Sequence, residues 1–235
     1  MKDQRKISIC IPTFNRVDMT IGCFIDVLGD ERVSEIVIVD DCSDLKYYTE
    51  LKNICDNLGK IKLYRNLQNR DCYVNKMTAL SFATNDWCCL WDSDNVFTKD
   101  YIDILFRLEW NKNTIYTPSF AQPHFNFRDY EGLVFSKENI AQYINKPMFE
   151  VCLNAANYFV NRFEYLSVWD ADTDPVTSDS IYQMYNWLKN GGMLYIVPNL
   201  TYHHRVHDGS HYRNNVSRTQ SGFHNSILNK LRSMV

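Results

Sequence analysis

Two aspartates separated by one serine, Asp92, Ser93 and Asp94, follow the apolar run at residues 87–91. Alternate residues of an extended chain point the same way, so both carboxylates are expected on one side if strand geometry persists through Ser93. Two carboxylates aimed together repel each other unless a cation joins them. Oxygen ligands with open positions suit Mg²⁺ or Mn²⁺, and such an ion would also grip a diphosphate and make it a better leaving group. The plainer reading is a turn in which Asp94 caps the next segment.

This loop is one of three of its kind. Pro12, Thr13, Asn15 and Arg16 follow the apolar run 7–11, and Asp40, Asp41 and Ser43 follow 36–39, four consecutive β-branched residues. Ligands of open parallel sheets bind beyond the carboxyl ends of the strands, where such loops converge. Any one loop is what a strand of that architecture needs for its turn. The signal lies in their joint occurrence.

The elements that would carry these loops can be read from periodicity. Short β-rich runs at 7–11, 36–39, 61–64 and 87–91 alternate with helical segments at 17–28, around 48–58 and around 74–83, the pattern of a parallel sheet covered by helices. The later part is less regular, with strands expected near 114–118 and 158–160 and a helix near 137–145. Ile181, Met184, Tyr185 and Leu188 fall at i, i+3, i+4 and i+7 with Gly191 and Gly192 beyond, which places Asp179 in the first turn of an amphipathic helix. The expectation is one α/β domain of 235 residues, with a binding half to about residue 118 and a second half from about 119. The net charge of −3 gives no reason to expect nucleic acid. Residues 201–235 hold five Lys or Arg, one Asp and five of the six histidines, a basic end that is either a solvated tail or a surface for phosphate or an anionic membrane. Eight cysteines without a C-x-x-C pair are read as reduced. The polar start and the lack of a run of about 18 apolar residues lead us to expect a cytoplasmic chain, at most peripheral to a membrane.

The runs I-S-I-C-I-P-T-F-N-R (7–16), I-V-I-V-D-D-C-S (36–43) and C-C-L-W-D-S-D-N (88–95) resemble the three opening motifs of the family 2 glycosyltransferases, in order and spacing. The resemblance implies a GT-A fold, a Rossmann-like, mostly parallel sheet flanked by helices with an irregular acceptor-side half. It also implies a nucleotide-diphospho-sugar donor, usually a uridine one, a glycan or glycolipid acceptor, and a divalent metal, usually Mn²⁺. On this likeness Pro12, Thr13, Asn15, Arg16, Asp40 and Asp41 belong to the donor site, with Pro12, Thr13, Asp40 and Asp41 at base and ribose. Asp92, Ser93 and Asp94 face metal and diphosphate, and Arg70 lies near the base. The loop around Arg70 departs from the family, carrying Asn69, Arg70 and Asp71 where a small residue or glycine is usual.

The likeness extends further along the chain. A-N-Y-F-V-N-R-F-E (156–164) resembles the family's Asn-bearing strand and short helix, and T-S-D-S-I-Y-Q-M-Y-N-W-L-K-N-G (177–191) its acidic helix start. The carboxylate matching Asp179 would take the acceptor proton, a role typically worth ~10² to 10⁴ in rate. Ser178 stands where relatives are often acidic, and Asp170, Asp172 and Asp174 are rivals for the role. The helix dipole alone would also favour an acid at position 179. H-R-V-H-D-G-S (204–210) resembles a carboxy-terminal segment in which the position of His207 sits near metal or pyrophosphate, so His207 would be a third metal ligand and Arg205 a phosphate partner. The histidines 203, 204, 207 and 211 could instead suggest zinc, although their spacing fits no closed tetrahedral site.

Two other readings remain open. A haloacid dehalogenase-like phosphatase also places an Asp-x-Asp pair after an apolar strand, though there the motif opens the fold. A non-catalytic module could bind a nucleotide sugar or a glycan without turnover. A dinucleotide oxidoreductase is disfavoured, since no G-x-G-x-x-G follows the first strand. The aromatic stretch 116–135, with Phe120, His124, Phe125, Phe127 and Tyr130, either packs in the core or stacks on sugar rings. An amphipathic segment at 223–231 could face a partner subunit or a membrane.

Overall fold

The computed structural model describes residues 4–154, 157–208 and 222–234. Strands β1 (Ile7–Thr13), β2 (Val33–Asp40), β3 (Ile61–Arg65) and β4 (Trp87–Leu90) are parallel and lie in the order β3-β2-β1-β4. Helices α1 (Val17–Phe24), α2 (Leu45–Cys55) and α3 (Asp71–Phe82) connect them. Ile36, Val37, Ile38 and Val39 are all fully buried, as a run without polar alternation requires of a central parallel strand. The long helix expected over 17–28 stops at Phe24 and continues as the 3-10 turn Ile25–Val27.

The same sheet continues into the second half, where it becomes mixed. Strand β9 (Phe159–Asn161) runs antiparallel between β4 and β6 (Thr114–Gln122), and β6 pairs in parallel with β10 (Met193–His203). Three two-residue strands, β5 (Val96–Phe97), β7 (Phe125–Asn126) and β8 (Val134–Phe135), add antiparallel pairs. The short helices α4 (Tyr101–Phe106), α5 (Phe149–Asn154) and α6 (Arg162–Ser167) are followed by α7 (Asp179–Lys189) and α8 (Gly222–Arg232). On α7, Ile181, Met184 and Leu188 are fully buried and Tyr185 is half-buried, the amphipathic face read from the sequence.

Two further elements differ from the sequence pattern. The stretch 137–145 forms only the 3-10 turn Ile140–Gln142. Asn139 accepts the Ser136 amide at 2.9 Å and donates to the Val134 carbonyl at 3.0 Å, a side-chain alternative to helical hydrogen bonding. Strand β10, eleven residues long, has no clear signal because Pro198 and Asn199 interrupt it. The structure absorbs them in an irregularity between Val197 and Thr201, with Asn199 at φ +59°. All eight cysteines are free, and among the described residues no helix is long and apolar enough to cross a membrane.

Beneath the Asp92 loop the core is aromatic. Trp91 is fully buried and stacks on Phe97 with centroids 3.6 Å apart, meeting Tyr101 and Tyr202 edge-on. At the opposite, amino-terminal side of the strands, buried Glu35 accepts from Ser8 Oγ at 2.5 Å, from the Thr84 amide at 2.6 Å and from Lys62 Nζ at 2.5 Å. Burial alone would push this carboxyl up, but the bonds from Lys62, Ser8 and Thr84 outweigh it and hold the group at about 2. A folded-state value below the unfolded ~4.3 stabilises fully above that pH and ceases to do so as pH falls through about 2. Glu35→Gln should therefore lower the urea midpoint at pH 7. Its deficit against the parent protein should shrink from pH ~4.3 downward.

Candidate active site

Because β1 and β4 are parallel neighbours, the loops after them leave the sheet on one side, and the start of α7 and the segment after β10 come to the same place. At its centre lies Lys76 of α3, which the sequence reading passed over. Its ammonium is 2.7 Å from Asp179 Oδ2, 3.3 Å from Asp92 Oδ1 and 3.5 Å from Ser180 Oγ. Its side chain is only 9% exposed. Burial works against the charged ammonium, yet Asp179 and Asp92 outweigh it and hold Lys76 well above the ordinary lysine range. A second bond, Tyr73 Oη to Gln183 Oε1 at 3.0 Å, ties α3 to α7 beside it. The signal was available: Tyr73, Lys76, Met77 and Leu80 share one helical face, and three of the four are apolar core residues.

The expected common orientation of Asp92 and Asp94 does not occur. Strand geometry ends at Leu90, and the Asn95 amide bonds the Asp92 carbonyl at 3.1 Å, so residues 92–95 form a turn. Asp92 faces Lys76, whereas Asp94 Oδ2 receives Arg16 at 2.7 Å and lies 3.1 Å from His207 Nε2. Ser93 between them is buried. Asp92 keeps 30% of its side chain open at the floor of the site. Desolvation pushes its carboxyl up, Lys76 opposes this, and Asp94 and Asp179 add to the upward shift. Asn157, fully buried at φ +76°, accepts the Asp92 amide at 2.9 Å and so fixes the loop from the second half.

Arg205 spends its guanidinium on backbone. It donates to the carbonyl of Asp94 and, at 2.9 Å, to that of Met19, which clamps α1 against the aspartate loop. Its own amide reaches Asn95 Oδ1 at 3.4 Å. This placement makes Arg205 a brace of the aspartate loop.

Pro12 and Thr13 lie inside the end of β1, and Thr13 Oγ1 bonds Thr20 Oγ1 at 2.6 Å. Asn15, at φ +52°, joins the first two loops through Ser43 Oγ and the Asp44 amide, both at 2.8 Å. Asp40 is the buried last residue of β2, where a turn position was expected, and accepts the Ser43 amide at 3.1 Å with Arg65 3.5 Å away. Asp41 accepts from Asn66 at 2.8 Å and from the Arg70 amide at 2.9 Å, and burial raises its carboxyl. The Arg70 side chain itself is exposed.

Of the four carboxylates weighed near the helix start, only Asp179 meets Lys76 and thus Asp92. Asp170 is taken by Tyr182 and Thr173, and Asp174 accepts the Val176 amide at 3.0 Å. Within the aromatic stretch, Phe127 and Tyr130 are core residues. His124 instead sets its Nδ1 3.1 Å from that of His204 at the rim, and burial with His124 lowers His204 below the ordinary histidine range. Of the four clustered histidines, His211 lies outside the described residues. Among the described residues no group of three or more His, Cys, Asp or Glu is placed to hold a metal ion.

The sequence model of Glycosyl transferase family 2 matches residues 8–152, which span β1 to α5 and thus all three loops. The chain belongs to this family. Curated relatives include an uncharacterized glycosyltransferase of Rickettsia conorii, 31% identical over 113 residues. That match covers 48% of this chain and 18% of the relative. An uncharacterized glycosyltransferase of Mycoplasma genitalium is 27% identical over 105 residues, covering 42% of this chain and 35% of the relative. This chain therefore spans about a third or less of the length of these relatives.

Among solved structures, S. aureus TarS 1-349 in complex with UDP-GlcNAc superposes with a TM-score of 0.67 at 12% identity. The match covers 88% of this chain and 60% of that one. The mannosyltransferase PcManGT from Pyrobaculum calidifontis, in complex with GDP-Man and Mn²⁺, gives 0.64 at 12%, covering 99% and 70%. The fold is accordingly the mixed α/β GT-A type that the motifs implied, with its sheet parallel in the first half and mixed in the second. Membership in this family sets aside the phosphatase reading of Asp92 and Asp94.

Lys76→Met should lower the unfolding free energy by about 3–5 kcal/mol, because it leaves Asp179 and Asp92 without their shared cation. Lys76→Arg, which retains the charge, should lose less. In the Met variant the Asp92 carboxyl should titrate at still higher pH, as ¹³C NMR of the side-chain carboxyl would show.

Proposed function

We propose that this chain transfers a sugar from a nucleotide diphosphate, with UDP the first nucleotide to test, to the hydroxyl of a glycan or glycolipid acceptor. The observation that carries the reading is the position of Asp179. It sits 7% exposed at the start of α7, facing through Lys76 the aspartate loop, in a fold whose solved neighbours hold UDP-GlcNAc and GDP-Man. Lys76 engages Oδ2, and in this reading Oδ1 takes the acceptor proton. The acceptor oxygen then forms its bond to the anomeric carbon as its proton passes to Asp179. The bond from that carbon to the diphosphate breaks, and its electron pair leaves with the phosphate oxygen. One carboxylate opposite the leaving group is enough for such an in-line displacement and supports inversion at the anomeric centre.

The networks around Asp40, Asp41 and Asn15 stiffen the first two loops, which in this reading receive base and ribose. Among the described residues, Arg16 and Lys76 are the cations paired with the aspartate loop, where in this reading the diphosphate lies. Asp94 Oδ2 and His207 Nε2 lie 3.1 Å apart, an oxygen and nitrogen donor pair of the chemistry a divalent ion accepts. These two side chains would hold Mn²⁺ or Mg²⁺, with Asp92 turned to Lys76. A divalent ion bound there supplies Lewis-acid stabilisation of the leaving diphosphate.

Calorimetry with UDP, GDP and their sugars, with and without Mn²⁺, should show metal-dependent binding of one nucleotide series; no binding of any nucleotide would sink the proposal. Asp94→Ala should weaken donor binding in Mn²⁺ by about tenfold or more, a loss of at least ~1.4 kcal/mol. Asp179→Asn should instead leave donor affinity nearly intact and slow transfer by at least ~10²-fold. Equal loss of binding and rate would refute the role of proton acceptor.

A further inference from the structure

A hydrogen-bonded chain running from a buried serine to a half-exposed glutamate adjoins the site and has no part in the chemistry described so far. On α8, His224 sets Nδ1 2.8 Å from Oγ of Ser178 and Nε2 2.8 Å from Oε1 of Glu150 on α5. Ser178, immediately before Asp179, is 1% exposed, and the His224 side chain is 14% exposed. An ionised carboxylate only accepts, so Nε2–H donates to Glu150, and Nδ1 joins the Ser178 hydroxyl as acceptor in the neutral ring or as donor in the imidazolium. Serine, histidine and glutamate in a row also make up a nucleophile constellation. With its hydroxyl enclosed, Ser178 offers no approach to a substrate carbonyl.

The geometry at the start of α7 shows what the chain does instead. Ser178 is the N-cap, where a serine hydroxyl ordinarily accepts from the second or third amide of the helix and contributes ~1 kcal/mol. It makes no such bond here. The third amide, that of Ile181, is taken at 3.2 Å by Oδ1 of Asn154, again from α5. Capping has passed to a neighbouring helix, and the serine hydroxyl is committed to His224. Apolar contacts of Ile227, Leu228 and Leu231 dock α8, but such contacts are non-directional. The bond from His224 to Ser178 adds a directional constraint between α8 and the first turn of α7.

We propose that His224 is a positioning residue: through Ser178 it fixes the first turn of α7, and with it the direction in which Asp179 presents its carboxylate. The carboxy-terminal helix thereby completes the active site. This inference rests on the reading of Asp179 as proton acceptor.

Two substitutions divide the functions of the ring, because the polar end of Asn falls near the place of Nδ1 and that of Gln near Nε2. Ser178→Ala and His224→Gln should each lower the turnover of donor, read as nucleotide release to water or acceptor, by about tenfold. The calorimetric donor affinity should not move. His224→Asn should recover most of the loss, and Ser178→Ala with His224→Gln should be no worse than either alone, as expected of one pathway. Amide exchange of residues 178–182, measured by mass spectrometry, should quicken in Ser178→Ala and His224→Gln and return towards normal in His224→Asn, whether or not turnover is detectable.

Equal effects of Asn and Gln, additive losses in the double variant, or unchanged exchange and turnover in Ser178→Ala would overturn the proposal. Asp179→Asn separates the two claims. If that variant retains transfer, the proton-acceptor reading fails and takes this inference with it. If it is inactive while Ser178→Ala turns over normally, only the positioning role falls.

Discussion

The arrangement depends on one buried ammonium. Lys76 stands between carboxylates from two distant parts of the chain, Asp92 after β4 and Asp179 at the start of α7. Removing a charge from water costs several kcal/mol, and the attraction of two carboxylates within 3.3 Å offsets it only while all three groups keep their places. The cation is thus a geometric constraint on both loops at once. Without it, Asp92, Asp94 and Asp179 would bring like charges into a partly dehydrated space with no compensating charge between Asp92 and Asp179.

A second constraint works through packing and through hydrogen bonds to the backbone. The loop that carries Asp92 and Asp94 is set from below by Trp91 in its aromatic cluster, from one side by the Asn157 amide oxygen, and from another by the Arg205 clamp. None of these contacts need change when a ligand enters. Arg16 and His207, which meet the same oxygen of Asp94, are the polar partners whose contacts a ligand would redistribute.

The sequence displays the first half plainly because the inner parallel strands β1, β2 and β4 read as nearly unbroken apolar runs, and each run ends in its polar loop. The order of those runs in the chain, and Asp179 at a helix start, are equally plain. Three things were hidden. Lys76 looks like an ordinary helix lysine until its neighbours on the apolar face are counted, and periodicity weighs the face and not the exception. The divergence of Asp92 and Asp94 follows from a single backbone bond between Asp92 and Asn95, which residue types do not announce. Strand β10 is masked by Pro198 and Asn199, whose local preferences yield to long pairing with β6 on either side of the irregularity.

The Arg205 clamp has a consequence for the order in which the protein takes shape. Strands β1 to β4 and their helices form a contiguous stretch of chain and emerge first during synthesis. Yet the carbonyls of Met19 and Asp94, about 75 residues apart in that stretch, are bridged by a guanidinium lying 111 residues beyond the second of them. The early half can therefore assemble its sheet while the aspartate loop still lacks this fastening. Architecture precedes competence in this chain, and the interval between them is the time needed to make β10 and lay it beside β6.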